Sequence, residues 1–291
     1  MQAITYYNLG NSQTEVANLL AKHHRIRVPR RTISEWLHRY RAVCTYHRLR
    51  ETAVKTYQPH NLIHSYTMEH KQVYVFKYHR AKLDLLTAQV PFNAMAKLRT
   101  YLESVTSEQF PHHLFQAEEQ SSPQTTAASQ RSSKIQLDTL PVVQTEKQNM
   151  ANDLATLGLI MARTTRERHP AIQDFMLTND STTVACEIPI YLTAEDLHYY
   201  QTAKFHLPLP TTAAPVTGHI DLIQIRNNFI QILDYKPDAH KIQPVSQLLT
   251  YALALAARTK LPIKMFKCAW FDDKHYYEFF PLQAVYRSTT S

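Results

Sequence analysis

Apolar residues recur every three or four positions in two stretches near the amino terminus. The stretches contain Val16, Leu19 and Leu20, and Ile33, Trp36, Leu37 and Tyr40. This spacing places apolar side chains on one face of a helix. Ser12 and Glu15 fit the S/T-x-x-E capping box, which satisfies backbone N–H groups at a helix start, and Thr32 and Glu35 repeat the pattern. Residues 1–43 are therefore predicted to form three short helices.

The two segments that follow differ in composition. Residues 46–115 are rich in aromatic side chains and histidine, and they are predicted to be largely helical without a motif that indicates a role. Residues 116–149 shift to Ser, Gln and Thr with few large apolar residues. Because such a segment cannot bury enough apolar surface to order itself, 116–149 is predicted to be a flexible linker.

Helix and strand patterns alternate in the last 140 or so residues. The helical patterns cover 152–168 and 244–259, and the strand patterns cover 183–192, a hairpin over 218–237, 263–271 and 275–282. This order predicts an α/β domain over residues 150–291. The fold class is therefore multidomain α plus α/β, with an amino-terminal unit over 1–45 and a helical middle region.

Positive charge is concentrated at one end of the chain. The 291 residues have a formal net charge of +8, and residues 1–50 contain nine Lys or Arg against two Glu. A local excess of this kind favours a polyanion partner, of which nucleic acid is the commonest. A basic face that only aids solubility is the alternative.

The sequence also indicates where the protein acts. Three cysteines lie far apart, without the spacing of a zinc site or a disulfide framework. The amino terminus lacks the charged-then-apolar order of a signal peptide, and no apolar run is long enough to span a bilayer. We therefore expect a cytoplasmic, DNA-associated protein with no membrane partner.

The second capped helix opens with "RRTISEWLHRYR". Together with the helix before it, this segment resembles the helix-turn-helix of resolvases and transposases. The resemblance implies that the second helix enters the DNA major groove. The residues expected to face DNA are Arg30, Arg31, Ser34, His38 and Arg41. A helical protein–protein module would use the same capped, amphipathic helices and is the alternative.

The tripeptide (D/E)-x-K occurs three times, and its surroundings distinguish the copies. Glu69-His70-Lys71 lies in the region predicted to be helical, where residues i and i+2 do not face each other. Asp272-Asp273-Lys274 lies at a polar junction between strands, where its side chains are expected to meet water. Asp234-Tyr235-Lys236 closes a strand, so its first and last side chains share a face.

The hairpin over 218–237 places a second aspartate beside this third tripeptide. Asn227 and Asn228 suit a two-residue turn, and pairing outward from them sets Asp221 opposite Asp234. Two carboxylates about 5 Å apart repel by roughly 3 kcal/mol at an effective dielectric of about 20. Mg²⁺ or Mn²⁺ would convert this repulsion into binding, and Lys236 would polarise a water or offset negative charge. A salt-bridge cluster, or a three-residue turn that shifts the pairing, is the alternative.

The motifs "GHID", "DYK" and "QLLTY" resemble the PD-(D/E)XK nuclease superfamily, especially its RecB-like branch, over residues 150–285. The resemblance implies a restriction-endonuclease-like mixed sheet flanked by helices, and metal-dependent hydrolysis of phosphodiester bonds. It assigns the metal to Asp221, Asp234 and the backbone carbonyl of Tyr235. It assigns support of the nucleophilic water to Lys236.

Two further features of the family pattern concern the rest of the site. Gln247 and Tyr251 match a Q-x-x-x-Y helix motif and share one helical face, from which both can reach the site or the DNA backbone. The branch usually adds a His or Glu from a helix before the first strand. Here Glu167 and His169 come later than that spacing, and Glu187 on a strand is preferred to Glu167.

The chain is therefore interpreted as a divalent-metal-dependent DNA endonuclease with its own targeting module. The alternative is a sequence-specific DNA-binding protein whose nuclease-like fold no longer cuts and serves for assembly. A nuclease or transposase subunit that acts only with a partner, and a metallohydrolase of another kind, also stay open. Retention of Asp221, Asp234 and Lys236 together favours the active enzyme. DNA is the expected partner, with a homodimer or a nucleoprotein partner left open.

Overall fold

The described part of the chain contains nine strands and eleven α-helices. A computed structural model describes residues 1–89, 94–116, 130–131, 145–147, 149–203, 205 and 214–286. The strands are β1 (Ile63–His70), β2 (Gln72–His79), β3 (Gln130–Arg131), β4 (Thr145–Glu146), β5 (Thr183–Leu192), β6 (Val216–Arg226), β7 (Phe229–Tyr235), β8 (Phe266–Phe271) and β9 (Tyr276–Phe279). The helices are α1 (Gln2–Asn8), α2 (Gln13–His24), α3 (Arg30–Arg39), α4 (His47–Thr56), α5 (Arg80–Gln89), α6 (Ala94–Ser104), α7 (Met150–Leu159), α8 (Arg168–Asn179), α9 (Ala194–Thr202), α10 (Val245–Thr259) and α11 (Pro281–Val285).

The strands join into one mixed sheet with helices on both faces. Its order is β1-β2-β5-β6-β7-β8-β9-β4, and β3 runs parallel to the start of β6. β7 and β8 are parallel because α10 connects them, and the other neighbours along that order are antiparallel. The predicted mixed sheet flanked by helices is confirmed.

Alternation along the central strands gives each face of the sheet its own core. On β7, Ile230 and Ile232 pack in the core that contains α10, whereas Leu233 and Tyr235 pack in the core that contains α7 and α8. Fully burying a side chain such as Ile232 contributes about 1.5–3 kcal/mol. The two cores therefore fix the strand ends, where the polar residues of the site lie.

The three predicted amino-terminal helices are present, with one local difference. The Ser12–Glu15 capping box forms at the start of α2. The second predicted box is wrong, because α3 begins at Arg30 directly after Pro29 and leaves Thr32 inside the helix. Proline favours a helix start, since its φ is already helical. Glu35 instead forms a salt bridge with Arg31 at 3.0 Å.

The prediction of a helical middle region is wrong for residues 63–79. β1 and β2 form an antiparallel hairpin around Lys71, whose φ is +57°, and β2 pairs with β5. Tyr74, Phe76 and Tyr78 alternate along β2 and pack in the core that contains α10. This spacing of two is typical of a strand. Glu69-His70-Lys71 therefore lies at a hairpin tip, not in a helix.

Contacts join the predicted amino-terminal unit to the predicted α/β domain. Ile4 and Cys44 pack in the same core as α7 and α8, and α1 contacts α8. Most of the predicted linker over 116–149 lies outside the described residues. The division of the chain at residues 45, 115 and 149 stays a prediction.

Candidate active site

The hairpin of β6 and β7 has the predicted register. Asn227 and Asn228 form its turn with φ values of 52° and 62°, and the pairs run from Arg226 with Phe229 to Leu222 with Leu233. The ladder ends one step before Asp221 and Asp234. The carboxylates of these two residues meet at the open end of the hairpin.

Asp221 is held from two directions. Its Oδ2 accepts a hydrogen bond from the backbone N–H of Tyr235 at 3.0 Å and lies 3.1 Å from Nε2 of His169. Burial acts to raise the pKa of Asp221, but the charge and hydrogen bond of His169, together with Asp234 and Lys236, outweigh burial and lower this pKa. Asp221 therefore stays ionised.

Asp234 is the least satisfied polar group of the site. Only 1% of it is exposed, and within the described residues neither of its oxygens receives a well-directed hydrogen bond. Nζ of Lys236 lies 2.8 Å from Oδ2. Burial and the Asp221 carboxylate raise the pKa of Asp234 well above its usual range. Burial disfavours the Lys236 ammonium, but the two aspartates outweigh it and raise the pKa of Lys236, which therefore keeps its charge.

Glu187 enters the site from β5 with an unusual backbone. Its φ is +53°, a left-handed conformation that β-strand residues do not normally adopt. As a result Cys186 packs in the α7–α8 core and Ile188 in the α10 core, although residues two apart in a regular strand share a face. Burial and Asp221 raise the pKa of Glu187 to about 7.

α8 supplies two further polar residues. The prediction of one helix over 152–168 is wrong, because α7 ends at Leu159 and α8 begins at Arg168. His169 lies in the first turn of α8, and Nε2 of its ring is 4.0 Å from Oε1 of Glu187. Gln173, one turn later on the same face, donates to that Oε1 at 2.7 Å.

In the sequence, His169 is a candidate that comes later than the family spacing, and Gln173 is not predicted at all. The signal that could have found them is Pro170, since proline is favoured in the first turn of a helix. Apolar residues at helical spacing follow it, at Ile172, Phe175 and Met176. Burial acts to lower the pKa of the His169 imidazole, but the surrounding carboxylates, Asp221 first, outweigh it and raise this pKa to about 9.

The Q-x-x-x-Y pair on α10 lies near Asp221. Nε2 of Gln247 donates to the hydroxyl of Tyr251 at 2.6 Å on α10. Both residues line a cavity of about 260 Å³ together with His169, Glu187 and Asp221. The structure therefore brings the predicted strand residues and the predicted helix residues to one place.

Other candidates lie elsewhere. Glu167 is exposed, and its carboxylate accepts a hydrogen bond from the backbone N–H of Arg163. Asp272 does not meet water as predicted: it is 4% exposed and accepts backbone hydrogen bonds from Ala239, Lys274 and His275. It caps the turn between β8 and β9, which explains its burial. The side chains expected to face DNA are exposed on and beside α3: Arg30, Arg31, Ser34, His38 and Arg41.

The ligand atoms at the open end of the hairpin suit a divalent cation. Ligand atoms of His169, Glu187 and Asp221 lie within 4.8 Å of one another, beside the unsatisfied carboxylate of Asp234. Carboxylate oxygens are the ligands that Mg²⁺ and Mn²⁺ prefer, and Mn²⁺ also accepts imidazole. A second group, His240, Asp272 and His275, is similarly close, but both oxygens of Asp272 already serve as turn caps.

A mixed sheet flanked by helices, with acidic residues and a lysine at the end of a central hairpin, is consistent with the restriction-endonuclease-like fold. The family profile of the PD-(D/E)XK nuclease superfamily matches residues 77–277. The chain therefore belongs to the PD-(D/E)XK nuclease superfamily, whose members are typically nucleases and generally use divalent metals. No curated protein and no solved structure matches the chain. Among the described helices, none combines the length and the apolar character needed to cross a bilayer.

Proposed function

We propose that this protein is a divalent-metal-dependent nuclease that hydrolyses phosphodiester bonds in DNA. The observation that carries the proposal is the carboxylate of Asp234, which is buried, poorly hydrogen-bonded and next to Asp221. A carboxylate in that state is costly unless a cation compensates it. The salt-bridge alternative accounts for the ion pair with Lys236 but not for the further acidic group of Glu187 at the same place.

A bound cation would be held by a set of five residues. They are Asp221, Asp234, Glu187, His169 and, through its backbone carbonyl, Tyr235. When bound, Mg²⁺ or Mn²⁺ lowers the pKa of an attacking water and offsets charge on the phosphate. Gln173 fixes the orientation of Glu187 through the 2.7 Å hydrogen bond.

Lys236 acts as a charged donor in this proposal. Since its pKa is raised, it cannot serve as a base near neutral pH, but it can donate a hydrogen bond to the attacking water or to a phosphate oxygen. Gln247 and Tyr251 present an amide and a hydroxyl from α10 to the same cavity, where they would contact the substrate backbone. Their Q-x-x-x-Y spacing supports assignment to the RecB-like branch.

α3 is proposed to direct the enzyme to DNA as the second helix of a helix-turn-helix. Its basic side chains are exposed, while Ile33 is buried against α1 and α2. Each Lys or Arg that neutralises a phosphate adds salt-dependent affinity without sequence preference. Glu35, which forms a salt bridge with Arg31, reduces the net positive charge of this face by one.

The test is cleavage of supercoiled plasmid, single-stranded DNA and RNA in Mg²⁺, Mn²⁺ or EDTA. We expect cation-dependent cutting of DNA by the wild type and a loss of roughly 10³-fold or more in Asp234→Asn. Glu167→Gln, which changes an exposed acid outside the site, should cut at the wild-type rate. Cutting that survives in Asp234→Asn would contradict the proposal. DNA that is bound but never cut would favour the non-catalytic binding protein.

A further inference from the structure

A second cavity, of about 710 Å³, opens on the opposite side of β7 from Gln247 and Tyr251. The side chain of Tyr235 lies in its lining, whereas Asp234 and Lys236 point the other way, because neighbouring strand residues alternate. The Tyr235 ring meets the ring of His169 edge-on, with centroids 5.8 Å apart. The cavity therefore directly adjoins the candidate metal site.

One wall of this cavity is basic and rich in donors. It is formed by Arg163, Thr164 and Thr165 of the connection between α7 and α8 and by Arg168 at the start of α8. Both arginines are exposed, and within the described residues neither takes part in a salt bridge. A guanidinium matches two oxygens of a phosphate at once, and threonine hydroxyls add single hydrogen bonds.

The opposite wall is acidic. It contains Asp238 and Asp273, which follow β7 and β8. The Asp238 carboxylate is 3.6 Å from Nζ of Lys241, so its charge is partly compensated, but both acids would repel a phosphate. An anionic strand that enters the cavity is therefore confined to the side of the arginines.

We propose that Arg163 and Arg168 bind backbone phosphates of the strand that is cut, on the Tyr235 side of the reacting bond. The contact would set the path of the strand from the cavity to His169, the residue directly after Arg168. This inference rests on the proposed nuclease function and adds a substrate-binding wall to it. Arg163 and Arg168 are positioning residues here, since they hold phosphates next to the one that reacts.

The test compares arginines of one segment. Arg166 lies between the two, is exposed and does not line the cavity, so Arg166→Gln is the matched control. Binding of a labelled oligonucleotide of the type that the wild type cuts is measured in the Asp234→Asn background at several salt concentrations. We expect Arg163→Gln with Arg168→Gln to weaken binding at least tenfold and to reduce the slope of log affinity against log salt by about two. Arg166→Gln should change neither quantity by a comparable amount.

Cleavage by the same variants, without the Asp234→Asn change, completes the test. The double variant should raise KM more than it lowers kcat, and Arg163→Lys with Arg168→Lys should restore the salt slope because it restores the charge. If the double variant matches Arg166→Gln in affinity and slope while the wild type still cuts, the inference is wrong and the nuclease proposal stands. If the wild type neither binds nor cuts any nucleic acid, the nuclease proposal itself fails.

Discussion

Two residues of the site are held in states that cost stability. Glu187 adopts a left-handed backbone within a strand, and Asp234 is a buried carboxylate that receives no well-directed hydrogen bond from the described part of the chain. A backbone of the first kind costs about 1–3 kcal/mol, and such residues cluster at functional sites. Both side chains point toward the same candidate cation position, so binding of a cation there would explain both costly states.

The strain at Glu187 can be measured with two substitutions. Glu187→Ala removes the carboxylate but keeps a Cβ in the left-handed backbone, whereas Glu187→Gly removes both. We expect Glu187→Gly to be more stable than Glu187→Ala by about 1 kcal/mol, because only glycine adopts this φ without steric cost. Urea unfolding in EDTA measures the difference. A regular strand position would give the reverse order, and that order would contradict the strained backbone.

The two aspartates should respond in opposite ways to neutralisation. The pKa of Asp234 is raised on folding, so the native state retains a proton that the unfolded state has lost, and this lowers stability as the pH rises above about 4. The pKa of Asp221 is lowered on folding, so its ionised form adds stability that is lost as the pH falls through its folded pKa. Without metal at pH 7, Asp234→Asn should raise Tm by a few degrees and Asp221→Asn should lower it.

Differential scanning calorimetry in EDTA from pH 4 to pH 7 checks this prediction. The advantage of Asp234→Asn over the wild type should shrink toward pH 4, where the aspartate of the unfolded state also begins to bind a proton. Equal Tm shifts of the two variants in the same direction would contradict the opposite pKa shifts of Asp221 and Asp234.

At the scale of elements, the hairpin of β6 and β7 could be predicted because its information is local. Two asparagines specify the turn, and the turn fixes which residues oppose each other. β1 and β2 depend instead on pairing with β5, which lies about a hundred residues later. The position of His169 was hard to predict for a related reason: it depends on how α8 packs against the sheet.

α8 is held at its carboxy-terminal end by a lysine from another helix. Lys82 of α5 is fully buried, and its Nζ donates hydrogen bonds to the backbone carbonyls of Leu177, Asp180 and Thr183. Burial lowers the pKa of Lys82 to about 7. His169 and Gln173 belong to the same helix and lie nearer its amino-terminal end. The contact with Lys82, by holding α8 in place, therefore helps to fix the positions of these two side chains.

Replacing Lys82 should therefore be costly. Lys82→Met keeps the apolar stem but leaves three buried carbonyls without their donor, and we expect a loss of about 3–5 kcal/mol in the free energy of unfolding. Lys77→Met on β2, which breaks only a partly exposed ion pair with Asp174, is the control and should cost less than about 1 kcal/mol. Similar losses in the two variants would contradict the role given to Lys82.

At the scale of the whole molecule, the amino-terminal helices are attached to the nuclease fold through α8. Nδ2 of Asn8 donates to Oδ1 of Asn179 at 2.8 Å in a buried contact, and Ile4 is 3% exposed. A helix of 12 residues is about 18 Å long, so α8 joins this contact to the site near its first turn. The family match covers residues 77–277 and therefore begins within β2.

Deletion of residues 1–45 should therefore harm more than DNA binding. It would expose the core that contains Ile4 and remove the donor to Oδ1 of Asn179, so we expect a marked fall in Tm. Arg31→Ala with Arg41→Ala changes only exposed residues and should leave Tm nearly unchanged while it weakens DNA binding. A deletion variant with the Tm of the intact protein would show that the amino-terminal helices are independent of the rest.

The tripeptide that ends β7 is proposed to form a working metal-dependent nuclease site, and the chain supplies its own control. Lys236→Gln and Lys274→Gln change the same residue type in two D-x-K tripeptides, of which only the first lies beside Asp221. The decisive measurement is the rate at which wild type and both variants cut a labelled oligonucleotide in Mn²⁺. We predict wild-type rates for Lys274→Gln and a loss of at least roughly 10²-fold for Lys236→Gln, since a fixed donor at the reacting group is worth that much. Equal rates in the two variants, or no cutting by the wild type, would contradict the assignment of this site.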